Sequence, residues 1–197
     1  MPTSPGRFLR DNAFLVAAVA LPLVVVAFFV LSTTIPRWTV PPPRYDLLVR
    51  TRSWDQTGPR IAVDFMVQDG KLQAMVRPLP VNTSPMRSTL WLFDHQEMNA
   101  REIPIALPEK LADGEDSRTI VIDDFGGRRV LAQIKAPDGY EFQTRSGNSP
   151  GIVGDLFGMR RYTQTAALVN RGRLISIDLP SIQQYEYPEF VGWLIDE

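Results

Sequence analysis

Cysteine is absent from the chain and histidine occurs once, at His95. The first absence excludes disulfides, zinc–thiolate and iron–sulfur centres, thiol catalysis and lipid attachment to a thiol. The second argues against multi-histidine metal sites. Charge of one sign is lacking too. Formal net charge is −1, so nothing draws the protein to nucleic acid or another polyanion. Lysine is scarce, 3 against 18 arginines, a bias that suggests a GC-rich, bacterial source.

Charge is wholly missing from one stretch. From Ala13 to Leu31 the chain reads AFLVAAVALPLVVVAFFVL. As a helix it would be about 28 Å long, close to the roughly 30 Å hydrocarbon thickness of a bilayer. It has no polar face, so the pattern predicts a transmembrane helix rather than an amphipathic one. A cleaved signal peptide would have a shorter apolar core and small residues at its end. Here the run closes on Phe28-Phe29-Val30-Leu31. Pro22 removes one backbone donor mid-helix, a defect that membranes tolerate. Ala13 and Ala17 form a small-xxx-small pair.

Arg7 and Arg10 precede the run, while Arg37, Arg44, Arg50 and Arg52 follow it. Counting positive charges alone favours a cytoplasmic C-terminus. Large domains translocate largely regardless of charge, however, and a short basic tail is the usual cytoplasmic end of a signal anchor. The expectation is therefore a bacterial inner-membrane protein, N-terminus inside and C-terminal domain periplasmic.

Trp38 beside Arg37 suits the headgroup layer, and Pro41-Pro42-Pro43 favours a stiff extended spacer. The chain thus divides into a tail (1–12), a membrane helix (13–31), a proline-rich stalk (32–44) and a domain (45–197). About 150 residues suffice for one domain with its own core.

From Tyr45 onward, short apolar runs alternate with turn residues. Ile61–Val67 and Leu72–Val76 flank Asp69-Gly70, a strong hairpin signal. Further strands are expected at 47–50, 89–93, 119–122, 130–134, 140–143, 166–169 and 174–177, with Asn170-Arg171-Gly172 as a second hairpin loop. Residues 155–161 could form a helical turn, and 188–195 a last helical turn or a closing strand. The fold expected is mainly β: a sandwich, barrel or propeller-like array behind one N-terminal helix.

Several motifs dissolve on inspection. Gly147-Asn148-Ser149-Pro150-Gly151 fits the G-x-S-x-G elbow, but Pro150 lacks the backbone N–H that an oxyanion would need. Asp124-Phe125-Gly126 resembles the kinase tripeptide without a phosphate loop or catalytic loop. Asp94, His95 and Glu97 cluster after an apolar strand, yet metal binding needs further converging ligands. Paired carboxylates for hydrolysis cannot be recognised without spatial information. No catalytic, metal or cofactor residue is assigned.

Tyr185, Tyr187, Phe190 and Trp193 make the C-terminus aromatic-rich. They either close the core or form a partner-binding patch. The leading expectation is a membrane-anchored, non-enzymatic protein whose β domain binds or scaffolds a membrane or envelope protein. The alternatives are a domain that binds a small ligand or cell-wall component, and an enzyme with dispersed carboxylates.

Overall fold

A computed structural model describes residues 13–55, 58–80, 82–108, 110–112, 114–148, 162–179 and 187–196. It resolves into a helical unit and a β unit. The proposed helical turn at 155–161 lies outside the described residues.

The helical unit contains α1 (Ala13–Thr39). Its segment Ala13–Leu31 is long and apolar enough to cross a membrane, and none of it is buried within the protein. Trp38 is 84% exposed. The helix outlasts the apolar run and takes in residues 32–39, which the sequence had assigned to the stalk. Nothing in Ser32-Thr33-Thr34-Ile35 stops a helix. The helix continues through Pro36 and ends at Thr39, just before Pro41-Pro42-Pro43, a run that favours extended backbone. The Thr39 hydroxyl donates to the Ile35 carbonyl across the last turn, at 3.0 Å.

The β unit is mainly antiparallel strand: β1 (Asp46–Trp54), β2 (Ile61–Gln68), β3 (Lys71–Pro78), β4 (Met86–Asp94), β5 (Asn99–Ile103), β6 (Arg118–Ile122), β7 (Arg129–Leu131), β8 (Glu141–Asn148), β9 (Tyr162–Asn170), β10 (Arg173–Ile177) and β11 (Glu189–Ile195). They form three open sheets, ordered β5-β4-β1-β11-β7, β2-β3-β6 and β10-β9-β8. Among the described residues no sheet closes into a barrel, and none is a four-stranded meander of consecutive strands.

Both anticipated hairpins form. Asp69 and Gly70 have φ of 52° and 74°, and Arg171 and Gly172 have 44° and 86°. Two positive values in succession match the twist of the flanking strands. β7 ends at Leu131, shorter than expected; further on, Ala136 N–H donates to the Tyr140 carbonyl at 2.7 Å and closes a turn before β8. Residues 189–195 form a strand.

The first half of β1 is buried on both faces, where Leu47-Leu48-Val49 is consecutively apolar, and its second half turns polar with Arg50, Thr51 and Arg52. Leu48 faces Leu92 across the β1–β4 ladder. Both join Leu90 and Leu194 in a cluster completed by Ile61 and Val63 of β2, Leu72, Ala74 and Val76 of β3, and Ile122 of β6. One core is therefore shared by the five-stranded sheet and the β2-β3-β6 sheet. The opposite face of the five-stranded sheet carries Leu47, Val49, Phe93 and Trp193, all buried. There Phe142 of β8 meets Phe190 of β11, ring centroids 5.9 Å apart. Gly192 permits the β11–β7 contact, since a Cβ at that position would collide with Val130 Cγ1.

Candidate functional site

Two places in the β unit gather side chains in ways that chemistry could use. The first is a half-open cleft of about 350 Å³. Its walls come from β2 (Ile61, Val63), β4 (Leu90) and the end of β5 with the chain beyond it (Ile103, Ile105, Leu107). β2 and β5 are terminal strands of their respective sheets, so the cleft opens where two sheet edges meet. Pro59, Pro85 and Pro104 stand around it and stiffen the chain at the strand ends. Arg87 and Glu102, paired at 3.3 Å and largely exposed, mark its rim. Ser88 Oγ donates to the Val63 carbonyl at 3.1 Å and stitches the β2 edge to β4. The lining combines these apolar side chains with the polar groups of Asp55, Ser88 and Thr89.

The second place is a polar knot at the start of β1. The Asp46 side chain is 6% exposed and accepts from the ring of His95, Nδ1 at 2.7 Å, and from Arg128 Nη1 at 2.5 Å. It also accepts from the His95 backbone N–H at 3.0 Å. Burial alone would raise the Asp46 carboxyl. The His95 backbone N–H, the His95 ring and Arg128 together outweigh burial and hold it below the ordinary value of 3.8. Asp94 lies close enough to complete a three-ligand group with Asp46 and His95. Its Oδ1, however, accepts from the N–H groups of Gln96 and Glu97, at 2.7 and 3.1 Å, closing the β4–β5 turn. Arg128 already neutralises Asp46 and would repel a cation there. The geometry is that of a turn clasp, fastening the loops around residues 95 and 128 to the first strand.

A third charged group joins the sheets rather than forming a cleft. Asp64 on β2 accepts from Arg50 (3.2 Å) and Arg52 (3.1 Å) of β1 and from Arg77 of β3. Arg50 also pairs with Glu189 of β11. Burial pushes the Asp64 carboxyl up, but Arg77, Arg50 and Arg52 hold it below 3.8 on balance.

The residues singled out from sequence scatter. Ala13, Pro22, Leu31 and Trp38 lie along α1. Of the C-terminal aromatics, Tyr185 lies outside the described residues, Tyr187 is exposed and Phe190 is half-buried. Trp193 is fully buried, its Nε1–H donating to the Ile134 carbonyl at 3.3 Å, and belongs to the core rather than to a surface patch. Phe125 of the Asp-Phe-Gly tripeptide is buried in a turn. Gly147 and Asn148 end β8, while Ser149, Pro150 and Gly151 lie outside the described residues. Sequence reasoning found His95 and Asp94 but missed Asp46, and it noted Arg128 only as half of a basic pair with Arg129. Asp46 lies 49 positions from His95 and 82 from Arg128. It missed the cleft altogether. The prolines at its margin were visible in the sequence, but their convergence was not. Compared with protein families, curated proteins and solved structures, the chain matches none.

Proposed function

We propose that the protein is a single-pass, membrane-anchored, non-enzymatic envelope protein whose β domain binds a protein partner. The observation that carries this reading is the exposed apolar surface of α1. Phe14, Leu21, Phe28 and Phe29 are each more than 60% exposed, in a span with no charged residue. At about 25 cal/mol per Å² of apolar area, leaving such a helix in water is costly, and a bilayer supplies the cover. The short N-tail with Arg7 and Arg10 supports an N-inside orientation in a bacterial inner membrane, with the β domain periplasmic. The shared core of two open antiparallel sheets supports a sandwich architecture for that domain.

The test is co-purification of the full-length protein from its native membrane in mild detergent. The control lacks residues 1–41 and is directed to the same compartment. A stoichiometric partner retained by the control assigns the contact to the β domain. Recovery of the protein alone refutes the partner reading, and its release by alkaline washing refutes the anchor.

The cleft favours a second reading, a small apolar ligand, because its volume reaches the lower end of small-molecule sites, about 300 Å³. A thermal-shift screen on the full-length protein tests it. If no compound raises the unfolding temperature, that reading falls.

A further inference from the structure

An edge strand presents backbone N–H and C=O groups with no partner on one side, and natural sheets usually blunt such edges. Two edges meet at the cleft. The β2 edge is stitched to β4 through Ser88 and Val63, and its Asp64 is held by three arginines. β5 has β4 on one side and, among the described residues, no strand on the other. Arg101, exposed in the middle of β5, forms no ion pair among the described residues, whereas its neighbour Glu102 is already matched to Arg87. The apolar lining continues directly from Ile103 to Ile105 and Leu107.

A ligand that satisfies all three features has a hydrogen-bonding backbone, an apolar side chain at alternate positions and a negative charge. We propose that β5 and its cleft receive an extended segment of the partner polypeptide. That segment adds antiparallel or parallel to β5, lays one apolar side chain against Ile103 and Ile105, and sets an acidic residue opposite Arg101. Backbone bonds give such strand addition its affinity, and the pocket gives it specificity. The inference rests on the partner-binding reading above and adds the site and the chemistry of the segment.

The experiment uses full-length protein in its native membrane. The photo-crosslinker p-benzoylphenylalanine replaces Asn99, exposed at the start of β5, or, as a control, Thr119 on the edge strand β6. Irradiation is expected to yield an adduct from position 99 with the protein that co-purifies, and none from position 119. Ile103→Glu is expected to reduce that adduct about tenfold or more, the scale of losing one anchoring side chain. Ile105→Glu serves as the second cleft variant, with thermal unfolding as the check on both. In unmodified protein, amide exchange across residues 99–103 is expected to slow when the partner is bound.

If a partner co-purifies but those amides exchange unchanged, the inference fails while partner binding stands. The same holds if the adduct survives both cleft variants in folded protein. If nothing co-purifies, both fall.

Discussion

Asp46→Asn tests the turn clasp at the start of β1. The carboxylate is almost wholly buried and accepts three hydrogen bonds, one from the Arg128 guanidinium and two from His95. Asparagine keeps the shape and one acceptor oxygen but removes the charge and turns an N–H₂ donor toward other donors. A hydrogen bond to a charged group is worth about 1.5–3 kcal/mol, and breaking a fully buried pair costs about 3–5. Arg128 and His95 are 31% and 24% exposed, so water recovers part of the loss. The expected destabilisation is about 2–3 kcal/mol at pH 7. With a urea slope of about 1–3 kcal/mol/M, the unfolding midpoint drops by roughly 0.7–3 M with the slope unchanged. The pH dependence gives an independent check. The folded-state carboxyl titrates below its ordinary 3.8, so ionised Asp46 contributes stability that is present above that value. The contribution is lost as pH falls through the folded-state value. The gap between the Asp46→Asn variant and wild type should therefore narrow as pH falls below 3.8. A gap under about 0.5 kcal/mol at pH 7, within the range of ordinary surface substitutions, refutes the clasp. So does a gap that persists undiminished into acid.

Asp64→Asn removes the hub of the arginine network and leaves Arg50, 12% exposed, with Glu189 alone. Arg50 Nε is already buried without a hydrogen-bond partner, so a loss of about 1–3 kcal/mol is expected in the same urea assay. Gly192→Ala forces a methyl group against Val130 Cγ1 and within 3.2 Å of the Leu131 carbonyl. It should cost about 1–3 kcal/mol despite the entropic gain of alanine over glycine in the unfolded chain, and calorimetry would read it. Leu48→Ala opens a cavity in the shared core and should cost about 2–5 kcal/mol, whereas Leu174→Ala, at an exposed position, should fall within about 0.5 kcal/mol.

Strand existence was legible wherever turn chemistry framed an apolar run. Asp69-Gly70 and Arg171-Gly172 announce their hairpins because few residue pairs accept two positive φ values in succession. The apolar run 13–31 was equally legible, because the bilayer-length criterion acts on contiguous residues. The helix end was not, since capping and proline effects at 39–41 override composition. Sheet order lay beyond reach: the five-stranded sheet joins β1 to β4 and β11, and only the finished core decides that. Trp193 shows the same limit. Its spacing among Tyr187 and Phe190 allowed either a patch or a core, and its complete burial and its hydrogen bond to the Ile134 carbonyl settle it as core. The Asp46 clasp stayed hidden because Asp46 lies 49 positions from His95 and 82 from Arg128, and only the fold brings them together.

β1 and β11, the first and last strands of the domain, are neighbours inside the five-stranded sheet, with Asp46 opposite Leu194. This has a consequence for biosynthesis. A growing chain can form the β2–β3 and β4–β5 hairpins early, but until residues 189–195 are made β1 lacks one flank and β7 lacks its partner strand. Long-range pairing of this kind is slow, and the open edges are aggregation-prone while they wait. Premature termination upstream of Glu189 would thus leave the central sheet itself unfinished, rather than trimming a dispensable end.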